Sequence, residues 1–308
     1  MHNRVTETPD PNAEYSEAGF ALPAVLGFLL ILSAVLIPFA SSARIRALTA
    51  GNQYDDTRLG LVLNAVNAMV AGRLAKDRRG DENSPAYATP TRYHCALGRG
   101  SVEVQFQEHS GLIDLNVASI ELLQLGLGAA GAPSSTVREL AQTITQFRRL
   151  DGDRTAAVPP QMIASEGLKF APFEDVAELY DFLPLRSIAL SQLMRVFTVN
   201  SRSAVVTGSS LSPAIKSKLS TYPEAAKAIV ATATQGADFV TVESILHDGA
   251  ASHYEAGIYQ IGASGTGAVR LINSLPSDTA ALPEVGAVTN GCSQILDSKA
   301  TALLGGVF

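Results

Sequence analysis

The sequence predicts an α+β fold built on one long N-terminal helix, on three observations. Residues 20–43 are an unbroken apolar run without formal charge, closed by Arg44 and Arg46. Stretches with period-two alternation occur at 93–107 and again at 254–275. Between them, residues 111–249 are spaced at helical period instead. The expected molecule is a long helix, its first half membrane-spanning, packed on a small antiparallel sheet that a large all-helical block interrupts.

The apolar run comes first. As a helix it is about 36 Å long, against a hydrocarbon core of about 30 Å. A secretory signal peptide is the competing reading, with small residues at 40–43 for cleavage, but the run is long and the stretch before it acidic. Pro23 falls in the first helical turn, where a missing N–H costs little, and Pro38 is expected to bend or end the lipid-embedded part. Apolar spacing then continues through Ile45, Leu48, Leu59, Leu63, Val66 and Val70, so one helix is expected over about 21–76, with a break possible at Asp55–Asp56.

Tyr93–Leu97 and Ser101–Gln107 flank Gly98–Arg99–Gly100 and read as a hairpin, Val102, Val104 and Phe106 on one face. Two strands do not make a stable sheet, so Tyr254–Ile261 and Ala268–Leu275 are expected to complete it. In the intervening block, Asn116 is the expected cap of a helix stopping at Gly126 and Gly128. Thr136 with Glu139 reads as a capping box for a second helix, with Val137, Leu140, Ile144 and Phe147 as its buried stripe. Further helical pieces are expected at 176–183, from Ser187, and over 213–219 and 223–233. Residues 276–308 read as a tail.

Composition excludes several functions. A net charge of -6 with 17% charged residues gives no general attraction to nucleic acid. The sequence holds no HExxH, GxSxG or GxxxxGK[ST] motif, and His109, His247 and His253 are scattered, so no enzyme is expected. Gly262, Gly265 and Gly267 read as a hairpin turn rather than a phosphate loop. Asp151 and Asp153, with Glu174 further on, carry oxygen ligands of the kind a structural calcium ion takes. They lack the spacing of a known calcium loop, and a solvated acidic turn is the alternative. Cys95 and Cys292 are the two cysteines, able to form one disulfide if the domain lies in an oxidising compartment. The helix pair at 111–150, with Arg138, Arg148 and Arg149 nearby, leaves a membrane-anchored nucleic-acid binder as a third-ranked reading.

Four stretches in one order resemble the type IV pilin superfamily, and more closely the protein K family of the type II (general) secretion pathway, its large minor pseudopilins. They are Gly19–Phe20–Ala21–Leu22 at the head of the apolar run; Gly98–Arg99–Gly100 through Val104 with Ser110–Gly111–Leu112–Ile113–Asp114–Leu115–Asn116; Phe170 to Leu185; and Phe197–Thr198–Val199–Asn200–Ser201, followed by Pro213 and Ile215. The resemblance covers about residues 16 to 275.

It implies a prepilin-type leader 1–19 cut between Gly19 and Phe20 by prepilin peptidase, a transmembrane helix 20–43, a pseudopilin α+β domain in two parts (44–110 and 250–308), and an inserted helical domain 111–249. It implies a non-enzymatic tip subunit of a periplasmic pseudopilus, anchored in the inner membrane by a single pass. Its implied partners are two smaller minor pseudopilins, the major pseudopilin and the inner-membrane assembly platform. A minor pilin-like component of a type IV pilus or DNA-uptake system is the runner-up. Family members can bind calcium in the helical part; here the acidic cluster is reduced to Asp151–Gly152–Asp153. Major pseudopilins carry a glutamate at the fifth position after cleavage, where this chain has Ala24, beside Pro23. The leader is acidic rather than basic, and the Lys/Arg count alone would place the large domain in the cytoplasm.

Overall fold

Helix α1 runs Ala21–Gly80 without interruption. The structure, a computed structural model, describes residues 21–80, 92–97, 100–149, 162–163, 169–231, 238–248, 251–261, 269–275, 288–296 and 298–305. It divides into two compact units, Met1–Arg58 and Leu59–Phe308.

In the first unit, the described side chains of α1 are exposed, from Leu32 at 42% to Phe39 at 74% among the large apolar ones. Pro38 lies inside the helix and does not end it, and no break falls at Asp55–Asp56. The physical reason is that a proline removes one hydrogen bond, whereas ending a helix in an apolar run would orphan several backbone groups. Past the apolar run, the Thr49 and Thr57 hydroxyls donate to the carbonyls of Ile45 and Gln53 one turn back, at 2.9 and 2.8 Å.

In the second unit, the remainder of α1 buries Leu59, Leu63, Val66, Val70 and Leu74, a stripe at helical spacing. The stripe packs on a six-stranded sheet of β1 (Arg92–Leu97), β2 (Gly100–Glu108), β7 (Phe239–Asp248), β8 (Ala251–Ile261), β9 (Val269–Leu275) and β10 (Val288–Asn290), ordered β10-β1-β2-β7-β8-β9. All neighbours are antiparallel except β10 on β1. The expected late strands do join the early hairpin in one sheet, but through β7, which falls inside the span expected to be helical. Its signal is the alternation of Val240, Val242, Ser244 and Leu246, all buried, in a β-branched run.

The 276–308 stretch, expected as a tail, also carries structure. After β10 come α6 (Cys292–Ile295) and α7 (Ser298–Gly305); Ile295, Ala300 and Leu304 of these helices, and Leu296 between them, are buried in the sheet's core.

Between β2 and β7 lies the helical block, with its own core of 0–8% exposed side chains from Ile113 to Ala225. It comprises α2 (Ile120–Ala129), α3 (Val137–Phe147), α4 (Leu190–Met194), α5 (Pro213–Lys218) and several 3₁₀ turns. Two short parallel ladders tie it together, β3 (Ile113–Asp114) to β4 (Phe197–Thr198) and β5 (Val206–Thr207) to β6 (Ile229–Val230).

Several local expectations need correction. The cap of α2 is Ser119, whose hydroxyl accepts from Leu122 N–H, while Asn116 lies upstream with another role. Thr136 makes no capping box; its backbone is already helical and its hydroxyl donates to the Pro133 carbonyl. The capping box belongs to Asp175 and Glu178 instead, heading the 3₁₀ turn Val176–Asp181. Gly126 and Gly128 do not stop α2. A Cβ on Gly126 would lie 2.5 Å from the Phe197 ring, and one on Gly128 2.6 Å from the Tyr222 hydroxyl. The glycines are notches for packing rather than helix ends.

Candidate functional site: the apolar helix and the junction of the sequence motifs

The first candidate is the apolar half of α1. Pro23 and Ala24 sit exposed in its first turn. α1 is long and apolar enough to cross a membrane, and its most apolar stretch is not buried. Gly19 and Phe20 lie outside the described residues.

The second candidate is where the block meets the sheet, and there three separated sequence stretches converge. β3 and β4 pair in parallel, Ile113 against Phe197 and Asp114 against Thr198, joining the second stretch to the fourth. Asp114 is buried and its carboxylate accepts from Asn116 N–H (2.8 Å), the Ser201 hydroxyl (3.1 Å) and Arg202 N–H (2.8 Å). Three donors satisfy a charge that burial alone would penalise. Arg202 adopts a left-handed backbone (φ 51°) that turns its N–H onto this carboxylate.

Asn116 brings in the third stretch. Its amide donates to the Phe173 carbonyl at 3.0 Å and its side-chain oxygen accepts from Phe173 N–H at 2.7 Å. Phe173 then packs on Phe147, ring centroids 5.0 Å apart, and Phe182 joins both, 5.3 Å from Phe147 and 6.4 Å from Phe173.

His109 fastens the block to the sheet. Its Nδ1 meets the Thr198 hydroxyl of β4 at 2.7 Å and its Nε2 the Thr241 hydroxyl of β7 at 2.9 Å. Burial lowers its pKa to about 3, so the ring is neutral in ordinary buffers and one hydroxyl must accept while the other donates. Beside it, the Ser210 hydroxyl donates to the Glu108 carboxylate (2.8 Å) and the Gln107 amide donates to the Ser210 carbonyl (2.8 Å). A Cβ on Gly111 would stand 1.7 Å from the Ser210 carbonyl oxygen, so only glycine allows this approach. Further along, Arg195, the residue after α4, faces Glu243 of β7 at 3.6 Å, and burial raises the Glu243 pKa ahead of the opposing pull of Arg195.

Arg148, one of the basic residues considered for phosphate binding, is turned inward. Its guanidinium donates to the carbonyls of Leu115 (2.5 Å) and Ala118 (2.6 Å), and its partial burial lowers its pKa against the Asp114 charge. Of the candidate calcium ligands, Asp151 and Asp153 lie outside the described residues. Glu174 is exposed, and its backbone N–H donates to Glu178 at 2.6 Å. Among the described residues, no three His, Cys, Asp or Glu side chains cluster as a metal site. His247 meets the Ser252 hydroxyl at 3.0 Å. Cys95 and Cys292 are joined in a disulfide, their Cα atoms 5.0 Å apart.

Sequence reasoning singled out the stretches 110–116, 170–185 and 197–201 but not the side chains that bind them to one another. It named His109 only as one of three scattered histidines. No local signal marks it, because its two partners are 89 and 132 residues away.

An apolar N-terminal helix, a largely antiparallel sheet packed on the helix's later turns, and a large helical insertion between sheet strands define a pilin-like α+β fold. The fold is similar to that of a chain in the crystal structure of the GspK-GspI-GspJ complex from the type 2 secretion system of enterotoxigenic Escherichia coli. The TM-score is 0.50 at 10% identity, over 73% of this chain and 98% of that one. No protein-family model matches the sequence, and no curated protein matches it.

Proposed function

We propose that this chain is a minor pseudopilin of a type II secretion system, a non-enzymatic subunit at the tip of the pseudopilus that initiates filament assembly and so supports export across the outer membrane. The observation that carries this reading is the likeness just described. It spans nearly the whole of a chain from a complex of three such proteins, and this chain joins that fold to an apolar helix able to cross a membrane. In this reading the partners are two smaller minor pseudopilins and the major pseudopilin, with the assembly platform and prepilin peptidase acting earlier.

Ala24 favours the tip. A carboxylate at that position in other subunits pairs in lipid with the N-terminal amine of the subunit above. A chain with Ala24 cannot neutralise that amine, so a further subunit is disfavoured, while its own Phe20 amine remains for a partner below. The disulfide supports a domain exported into an oxidising compartment, the periplasm, against the Arg44 and Arg46 charge count. The inward commitment of Arg148 weakens the nucleic-acid alternative, since its donors already serve two backbone carbonyls.

Two measurements test the proposal. N-terminal sequencing of the membrane-extracted protein should begin at Phe20, and Gly19→Leu should block processing; recovery of His2 or a start near Arg44 would refute cleavage at Gly19. Quantifying copies against the major pseudopilin in isolated filaments should give about one per filament. A ratio near one to one would defeat the tip assignment.

A further inference from the structure

Among the described residues, the C-terminal segment meets the sheet through a short strand, a set of buried apolar side chains and one covalent bond. β10 lies on β1 over three described residue pairs, Arg92↔Val288, Tyr93↔Thr289 and His94↔Asn290. A parallel strand so short, followed by one helix of one turn and one of two, has little stability of its own. What adds to it is the burial of Ile295, Leu296, Ala300 and Leu304 and the bond from Cys292 to Cys95, which spans a sequence separation of 197. Cys95 is 1% exposed, whereas Cys292 is half-buried. A cleft lined by His94, Ala96, Gly291, Leu296, Ser298 and Thr301 also has Cys95 and Cys292 in its wall.

We propose that the Cys95–Cys292 disulfide is a redox latch on the C-terminal segment: a dithiol reductant entering this cleft opens it, Val288–Gly305 lifts from the core, and β1 becomes an open sheet edge. A reductant thiolate attacks Sγ of Cys292, the more accessible sulfur. The S–S bond breaks, and Cys95 leaves as a thiolate that takes up a proton. The reductant's second thiol attacks the mixed disulfide and releases Cys292 as a thiol. Two electrons have then passed from the dithiol, which ends as a disulfide, and both cysteines are reduced. The N–H and C=O groups of β1 that paired with β10 are left open to another strand. Exchange with a disulfide-bearing oxidant, which takes the two electrons and ends as a dithiol, reverses the sequence, so the closed sheet is completed only where disulfides form and persist.

The test uses the full-length protein in detergent, with dithiothreitol as the reductant and no denaturant. Both cysteines should become alkylatable by iodoacetamide. Peptides covering 288–305 and 92–97 should then exchange amide hydrogens at least about tenfold faster, while those of β7 and β8 keep their protection. The double variant Cys95→Ser/Cys292→Ser should show the same pattern without reductant. Three results would overturn the latch: a bond that resists dithiothreitol until the protein is unfolded, a C-terminal segment still protected in the reduced and double-variant proteins, or protection lost evenly through β7 and β8. Each is read on purified protein and does not depend on assembly into a filament.

Discussion

The first half of α1 and the core of the helical block use the same side chains in opposite ways. Between Leu22 and Phe39, leucines, valines, isoleucines and phenylalanines stand 42–74% exposed along a helix. In the block's core, from Ile113 to Ala225, side chains of the same types are exposed by 8% or less, and glycine notches and aromatic contacts shape the space between them. The difference lies in what each region treats as solvent. A helix satisfies its own backbone groups, so it can present apolar side chains all round to lipid. The helical block has short helices and many turns, and the groups its turns free need specific partners. Asp114, Asn116 and Arg148 supply them.

Charge in the apolar half of α1 should have the largest effect. Leu32→Arg together with Leu36→Arg should cost about 6 kcal/mol of membrane insertion, at about 3 kcal/mol each. The protein should shift from the membrane to the soluble fraction with the melting temperature of its folded domain unchanged. Equal loss of both would erase the contrast between the two regions. Next, Phe182→Ala in the block should lower unfolding stability by about 3–5 kcal/mol through the cavity it leaves. Membrane association should be retained, as flotation with lipid vesicles would show.

Arg148→Met keeps most of the side chain's length but removes its donors to Leu115 and Ala118. It should cost about 2–3 kcal/mol in chemical denaturation, because two carbonyls lose charge-assisted hydrogen bonds. Binding to DNA should stay at background in the parent and the variant alike; micromolar affinity at physiological salt, lost in the variant, would restore the nucleic-acid reading. The smallest effect concerns pH. The His109 pKa is about 3 in the folded state against 6.5 unfolded, so between these values the unfolded state holds more protons. Its contribution to stability is therefore full above about pH 6.5 and lost as pH falls toward 3, reaching about 2 kcal/mol by pH 5. Denaturation midpoints at pH 7 and pH 5 measure it, and His109→Gln should flatten this part of the profile.

The sequence by itself determined what depends on local period and length. The apolar run is a helix over 21–43 because in lipid an uncharged stretch of that length must satisfy its backbone within itself. Val102, Val104 and Phe106 face the core because alternation places them on one side of a strand, and Val137, Leu140, Ile144 and Phe147 do so because they share one helical face. Only the tertiary structure decided the rest. β7 was hidden because a short β-branched run beside helical segments reads either way until β2 and β8 flank it. Gly126 and Gly128 look like helix stops in sequence; only the Phe197 and Tyr222 rings, from elsewhere in the chain, reveal them as packing notches. The junction needed tertiary structure most. Its bonds join residues 57 to 132 positions apart, and no local period carries information about partners brought together by folding alone.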